Sequence, residues 1–200
     1  MMAPIGEGEG GTGDGRPDRR VGLEDLAHVQ AGPLRELATA WLEARGEAAM
    51  PQRRAFDPLS VPALMPRLWL CAHDPGTGRF TYRLAGEQIN SVYGGSIRGR
   101  DLAEVIPASG LDIVERRFRA AIEGPAFVHV IGRIYLQSDR LLVGERLILP
   151  LADEAGGARF LLGATMVEGD WHWDTAAPDV ARQPHATVTP IAGGPAYEMS

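Results

Sequence analysis

The chain has 200 residues, of which 44% are hydrophobic, and a formal net charge of −6. That length suits one domain with a core of its own, and the negative balance removes the electrostatic footprint expected of a nucleic-acid or anionic-membrane binder. Its single cysteine, Cys71, excludes an internal disulfide and four-cysteine zinc sites.

All 20 basic residues are arginine, a side chain suited to gripping carboxylates or phosphates. No run of apolar residues approaches a membrane span, and the first twenty residues lack the apolar core of an export signal. The expectation is a cytoplasmic protein.

Residues 1–32 are read as a mostly disordered tail, Gly-rich and charged over Met1 to Arg20. Leu23 to Val29 reads as a turn or two of helix. From Pro33 to Arg45 the spacing predicts an amphipathic helix, with Leu34, Leu37, Ala38, Trp41 and Leu42 on one face. That stripe fits packing on the chain's own sheet and equally a contact with a second subunit or partner through Leu34, Leu37, Trp41 and Leu42. Asp57 before Pro58 reads as an N-cap with proline at the first helical position, and the short helix it starts ends at Pro66.

Leu68 to His73 is the first predicted strand, Asp74 to Gly78 a turn, and Phe80 to Ala85 the second strand, with Phe80, Tyr82 and Leu84 alternating. Glu87 to Tyr93 reads as a short helix stopped by Gly94-Gly95. Asp101 caps another, and Ser109 is read as the cap of a longer one over Leu111 to Glu123, with Ile113, Val114, Phe118, Ala121 and Ile122 apolar. Three β-type runs follow at Ala126 to Leu136, Arg140 to Leu151 and Arg159 to Glu168. Residues 170–200 read as a flexible tail. The order gives an α+β domain over residues 33–169, with a five-stranded antiparallel sheet, short helices and an N-terminal amphipathic helix.

The segment from Arg79 to Leu102 resembles the PAS domain family, most closely its small single-domain alphaproteobacterial-type subfamily. Phe80, Tyr82, Arg83, Leu84, Gly86, Ile89, Tyr93, Gly94, Gly99, Arg100, Leu102 and Glu104 match its pattern, and Trp41, Arg45, Pro51, Arg54, Asp57-Pro58, Pro62 and Pro66 extend the likeness upstream. The resemblance covers Pro33 to Glu168. It implies short helices on one face of that sheet, and a stand-alone sensory or regulatory module of signal transduction, acting on a signalling protein such as a histidine kinase or another regulator.

No nucleophile elbow, phosphate-binding glycine loop or paired-cysteine motif is present in the sequence, so an enzyme is not expected. A small α+β enzyme, such as a cone-shaped isomerase, stays as a third reading, and it would need a buried Asp or His pair. Of the five histidines, His28, His73, His129, His172 and His185, none is spaced from a second ligand type as a metal site requires. His129 has two readings: an outward-facing strand residue beside Arg133 and Tyr135, or a polar contact in the cavity. Cys71 lies outside the motif that a flavin-binding PAS module implies and is not marked for a cinnamoyl chromophore. The helix that carries a haem ligand in haem-binding PAS modules has no histidine here.

No cofactor is therefore expected. A non-covalent small ligand remains open as the alternative, acting by a change in homodimerisation through the N-terminal helix. Its pocket would be lined by Tyr82, Ile89, Tyr93, Phe118, Ile122 and His129, with Arg98 or Arg100 at the mouth. The competing reading is that the aromatics fill the core and the arginines are solvated.

Overall fold

A computed structural model of the chain describes residues 19–137, 140–167 and 184–199. The expected disorder of Met1 to residue 18, the Ser138-Asp139 turn, His172 and the tail over residues 170–183 lie outside the described residues.

Among the described residues, seven strands form one antiparallel sheet: β1 (Leu68–His73), β2 (Phe80–Ala85), β3 (Ala126–Gln137), β4 (Arg140–Ala152), β5 (Ala158–Val167), β6 (His185–Pro190) and β7 (Tyr197–Met199). Their order across the sheet is β2-β1-β5-β4-β3-β6-β7. The α-helices among the described residues are α1 (Gly32–Arg45), α2 (Glu87–Val92), α3 (Leu102–Val105) and α4 (Ala108–Glu123), and short 3-10 turns lie at Leu23–Leu26, Pro58–Ser60 and Pro62–Arg67. The α+β class and the antiparallel sheet follow the sequence reading.

Two strands were not expected. Residues 184–199, read as part of the tail, carry β6 and β7, and β6 pairs with β3 from Ile131↔His185 to Ala126↔Pro190. Its Ala186 and Val188 are fully buried. The run His185-Ala-Thr-Val-Thr-Pro190 alternates polar and apolar residues over too few positions to stand out in a Pro- and Gly-rich context.

Strand alternation divides the sheet into two covered faces. On one lie Trp69, Cys71, Phe80 and Tyr82, with α4 packed over them: Trp69 stacks on Phe118 at 5.3 Å, and Phe80 meets Phe118 edge-on. Gly163 is what lets Trp69 lie flat, because a Cβ there would stand 2.1 Å from the indole ring. On the other face Trp41 of α1 meets Phe127 edge-on at 4.7 Å and donates Nε1–H to the Pro150 carbonyl at 2.7 Å. Leu34, Leu37, Ala38 and Trp41 are all fully buried there. Of the two uses open to that stripe, this structure takes the packing on the chain's own sheet.

Local signals explain most boundaries. Asp57 accepts from Leu59 N, and Asp101 accepts from Ala103 N while Glu104 reaches back to Asp101 N in a capping box. Gly94, at φ 71°, ends α2 in the left-handed region that favours glycine. Ser109 is not a cap: α4 starts at Ala108, with Pro107 at the N-cap position and no side-chain cap. A β-bulge between Leu70 and Cys71 interrupts the alternation of β2. Leu84 therefore pairs with Leu70, on the face opposite Tyr82, and stays half-buried.

Candidate functional site

The sheet face under α1 holds a buried ionisable pair. His129 on β3 and Glu145 on β4 are 3% and 7% exposed. His129 Nε2 lies 2.6 Å from Glu145 Oε1, and a carboxylate only accepts, so Nε2 carries the proton and donates. The same carboxylate accepts the backbone N–H of Gln30 at Oε1 and of Ala31 at Oε2, both at 2.7 Å. These are the two residues that lead into α1. Ala31 is its N-cap and has no side chain able to cap, so Glu145 supplies from across the sheet the negative group that a helix N-terminus favours.

The segment running up to α1 closes over this pair. Val21, Leu26 and Val29 are buried. Arg35 of α1 donates to the Leu26 carbonyl, and Arg45 donates to the Val21 carbonyl at 3.1 Å. Val21 N donates to the Ile191 carbonyl beyond β6. The His28 ring lies 5.0 Å from that of His129, with its Nε2 buried and without a hydrogen-bond partner. Burial lowers the pKa of both histidines against the opposing pull of Glu145.

This arrangement corrects the reading of His129. It does face away from Val128 and Val130, but not into solvent, because the N-terminal segment covers that face. It also lies on the face opposite Tyr82 and Phe118, so it does not share a cavity with them. The signal the sequence offered was Glu145, an acidic residue beside Arg146 inside a mostly apolar strand; its partner across the strand pair could not be known before the register was.

On the α4 face Tyr82, Phe118 and Ile122 are buried; Ile89 of α2 is buried as well, and Tyr93, which follows α2, is partly so. Arg98 is exposed. The Arg100 guanidinium donates to the Glu104 carbonyl, which ties it to α3. Cys71 is fully buried, and burial pushes its thiol far up from the ordinary range, as fits an inert core thiol. Arg117, among the apolar positions of α4, was not anticipated: it is 7% exposed.

His129 and Glu145 resemble an acid–base couple, yet the chain itself engages both carboxylate oxygens. Neither residue lines the described cleft of about 230 Å³ at Gln52, Arg53, Arg54 and Phe160. The geometry suits holding the N-terminal segment better than meeting a substrate. Among the described residues no group of three His, Cys, Asp or Glu side chains could hold a metal ion.

An antiparallel sheet with α3 and α4 packed on one face, and an N-terminal helix held to the other, is the architecture of a sensory-type module. The sequence model of the PAS domain family matches residues 29–166, more than half of the chain. The chain belongs to the PAS domain family. A search of curated proteins finds no match to it. No described helix is long and apolar enough to cross a membrane.

Proposed function

We propose that this chain is a regulatory PAS module of signal transduction, acting in the cytoplasm by contact with a signalling protein such as a histidine kinase, with the segment Gln30–Arg45 as its output element. One observation carries the reading: Glu145 binds both N–H groups at the entry to α1. A single strand residue thus sets whether the helix stays docked. Glu145 and Arg146 are consecutive on β4, so they point to opposite faces. A change felt on the α4 face reaches α1 through one peptide unit. Because the apolar stripe of α1 lies against the sheet, a partner reads its outer face or the helix once undocked.

The test is affinity capture from host lysate with the wild-type chain and with Glu145→Gln, which cannot accept both N–H groups. A signalling protein recovered in amounts that differ severalfold between the two supports the reading. Recovery of none by either form overturns it. The second reading, a small ligand that alters homodimerisation through α1, is favoured by the buried Arg117. Light scattering of the two forms separates it, since that reading requires a change in mass.

A further inference from the structure

Between the connector after α1 and the turn from β4 to β5 lies a cleft of about 230 Å³, with Phe160 among its lining residues. Phe160 pairs with Leu151, and Leu151 continues the row of Leu147 and Leu149 on the α1 face. Along β5 the same row runs through Ala164, Leu162 and Phe160. The first two are buried, and Phe160 is only partly so. The register slips just beyond it, between Leu151 and Ala152, and an irregularity of this kind re-aims side chains where pairing ends. The opposite wall is fixed by backbone bonds. Arg53 N donates to the Ala152 carbonyl at 2.8 Å, and Ala152 N donates to the Pro51 carbonyl at 2.9 Å. Pro51 and Phe56, on either side of this wall, are buried. The cleft is therefore formed before anything enters it.

The charges that line it are unevenly committed. Asp153 Oδ1 accepts from Ala155 N and Gly157 N, and its Oδ2 stands 3.5 Å from Arg159 Nε. Glu154 stands 3.7 Å from Arg54, whose Nε donates to Gln52 Oε1 at 3.0 Å. Arg53 is half-buried, and among the described residues its side chain makes no hydrogen bond or ion pair. The one lining charge that the chain does not answer is thus a guanidinium. Its planar fork suits an oxyanion, and the Phe160 ring in the same cleft suits an apolar body.

We propose that this cleft binds a small organic anion, its apolar body seated on Phe160 and its carboxylate or phosphate held by Arg53. The volume falls just under the roughly 300–1,000 Å³ of pockets for drug-sized molecules, so the occupant is small. The site lies on the α1 side of the sheet, away from α4. It goes beyond the partner contact proposed above, and neither needs the other.

The experiment is titration of the isotope-labelled full chain, followed by amide NMR, with phenylacetate, phenyl phosphate and benzyl alcohol. Saturable shifts are expected at the amides of Gln52 to Arg54 and Ala152 to Glu154 with at least one of the two anions, and the tighter of them identifies the head group. Benzyl alcohol keeps the apolar body and lacks the charge, so it is expected to bind about tenfold more weakly. Arg53→Gln is expected to keep the wild-type unfolding midpoint, because its side chain gives up no bond, and to lose the preference for anion over alcohol. Phe160→Ala weakens binding of all three. No saturable shift at those amides with either anion overturns the site. So does an anion affinity that Arg53→Gln leaves unchanged. Shifts centred instead on Phe118 and Ile122 of α4 overturn it as well, since they put the ligand on the other face of the sheet.

Discussion

Three histidines, His28, His73 and His129, have pKa values below the ordinary 6.5, each chiefly through burial. The unfolded chain therefore binds more protons than the folded one as pH falls through 6.5, and the linkage makes stability fall with it. The unfolding midpoint is expected to hold above about pH 7 and to drop steadily below 6.5. Glu145 and Glu198 oppose part of the drop, because both favour the charged form of His129. His28→Gln removes the like charge facing His129 and flattens the profile. A profile that is flat or rises towards acid contradicts this assignment of neutral imidazoles. A second residue-scale effect needs no charge. In Gly163→Ala the new Cβ meets Trp69 at 2.1 Å, and the indole is already stacked on Phe118. Overpacking of this kind costs about 1–3 kcal/mol, read as a lower urea midpoint with an unchanged slope.

At the scale of elements, β1 to β5 and α1 to α4 were legible because each carries its own local signal: Asp57 and Asp101 as caps, Gly94 as a stop, and long apolar runs for β3 to β5. The bulge at Leu70 and Cys71 was not, since no residue there marks it, and it alone sends Leu84 to the face opposite Tyr82. The site was less legible for a related reason. Arg117 looks like one more polar residue of an amphipathic helix, and His129 meets Glu145 only through pairing across sixteen residues of sequence. The strands β6 and β7 escaped because their partners, not their composition, make them strands. They are structural all the same: Val188 and Ile191 are buried, and β6 covers the edge of β3. A chain truncated after residue 183 is expected to lose roughly 3–6 kcal/mol for those two side chains alone and to aggregate through the bared edge. A soluble truncated chain with the unfolding midpoint of the full one contradicts that role.

Over the whole molecule, one sheet separates two packed layers, and β4 belongs to both. Its Leu147 and Leu149 lie under α1, while Ile148 faces α4. The N-terminal layer is held by fewer polar ties: the Glu145 carboxylate, the Trp41 bond to Pro150, and the arginine contacts of Arg35 and Arg45. Local opening should therefore begin there and leave the strands closed. Hydrogen bonds to a charged group contribute about 1.5–3 kcal/mol, so Glu145→Gln is expected to speed amide exchange in residues 28–38 by roughly thirtyfold. The amides of β1, β4 and β5 keep their wild-type protection in the same sample. That separation is what the proposed output role of α1 requires, because the helix would have to leave while the sheet stays folded. Uniform acceleration across both layers would mean that the carboxylate supports the fold as a whole and that α1 does not move independently.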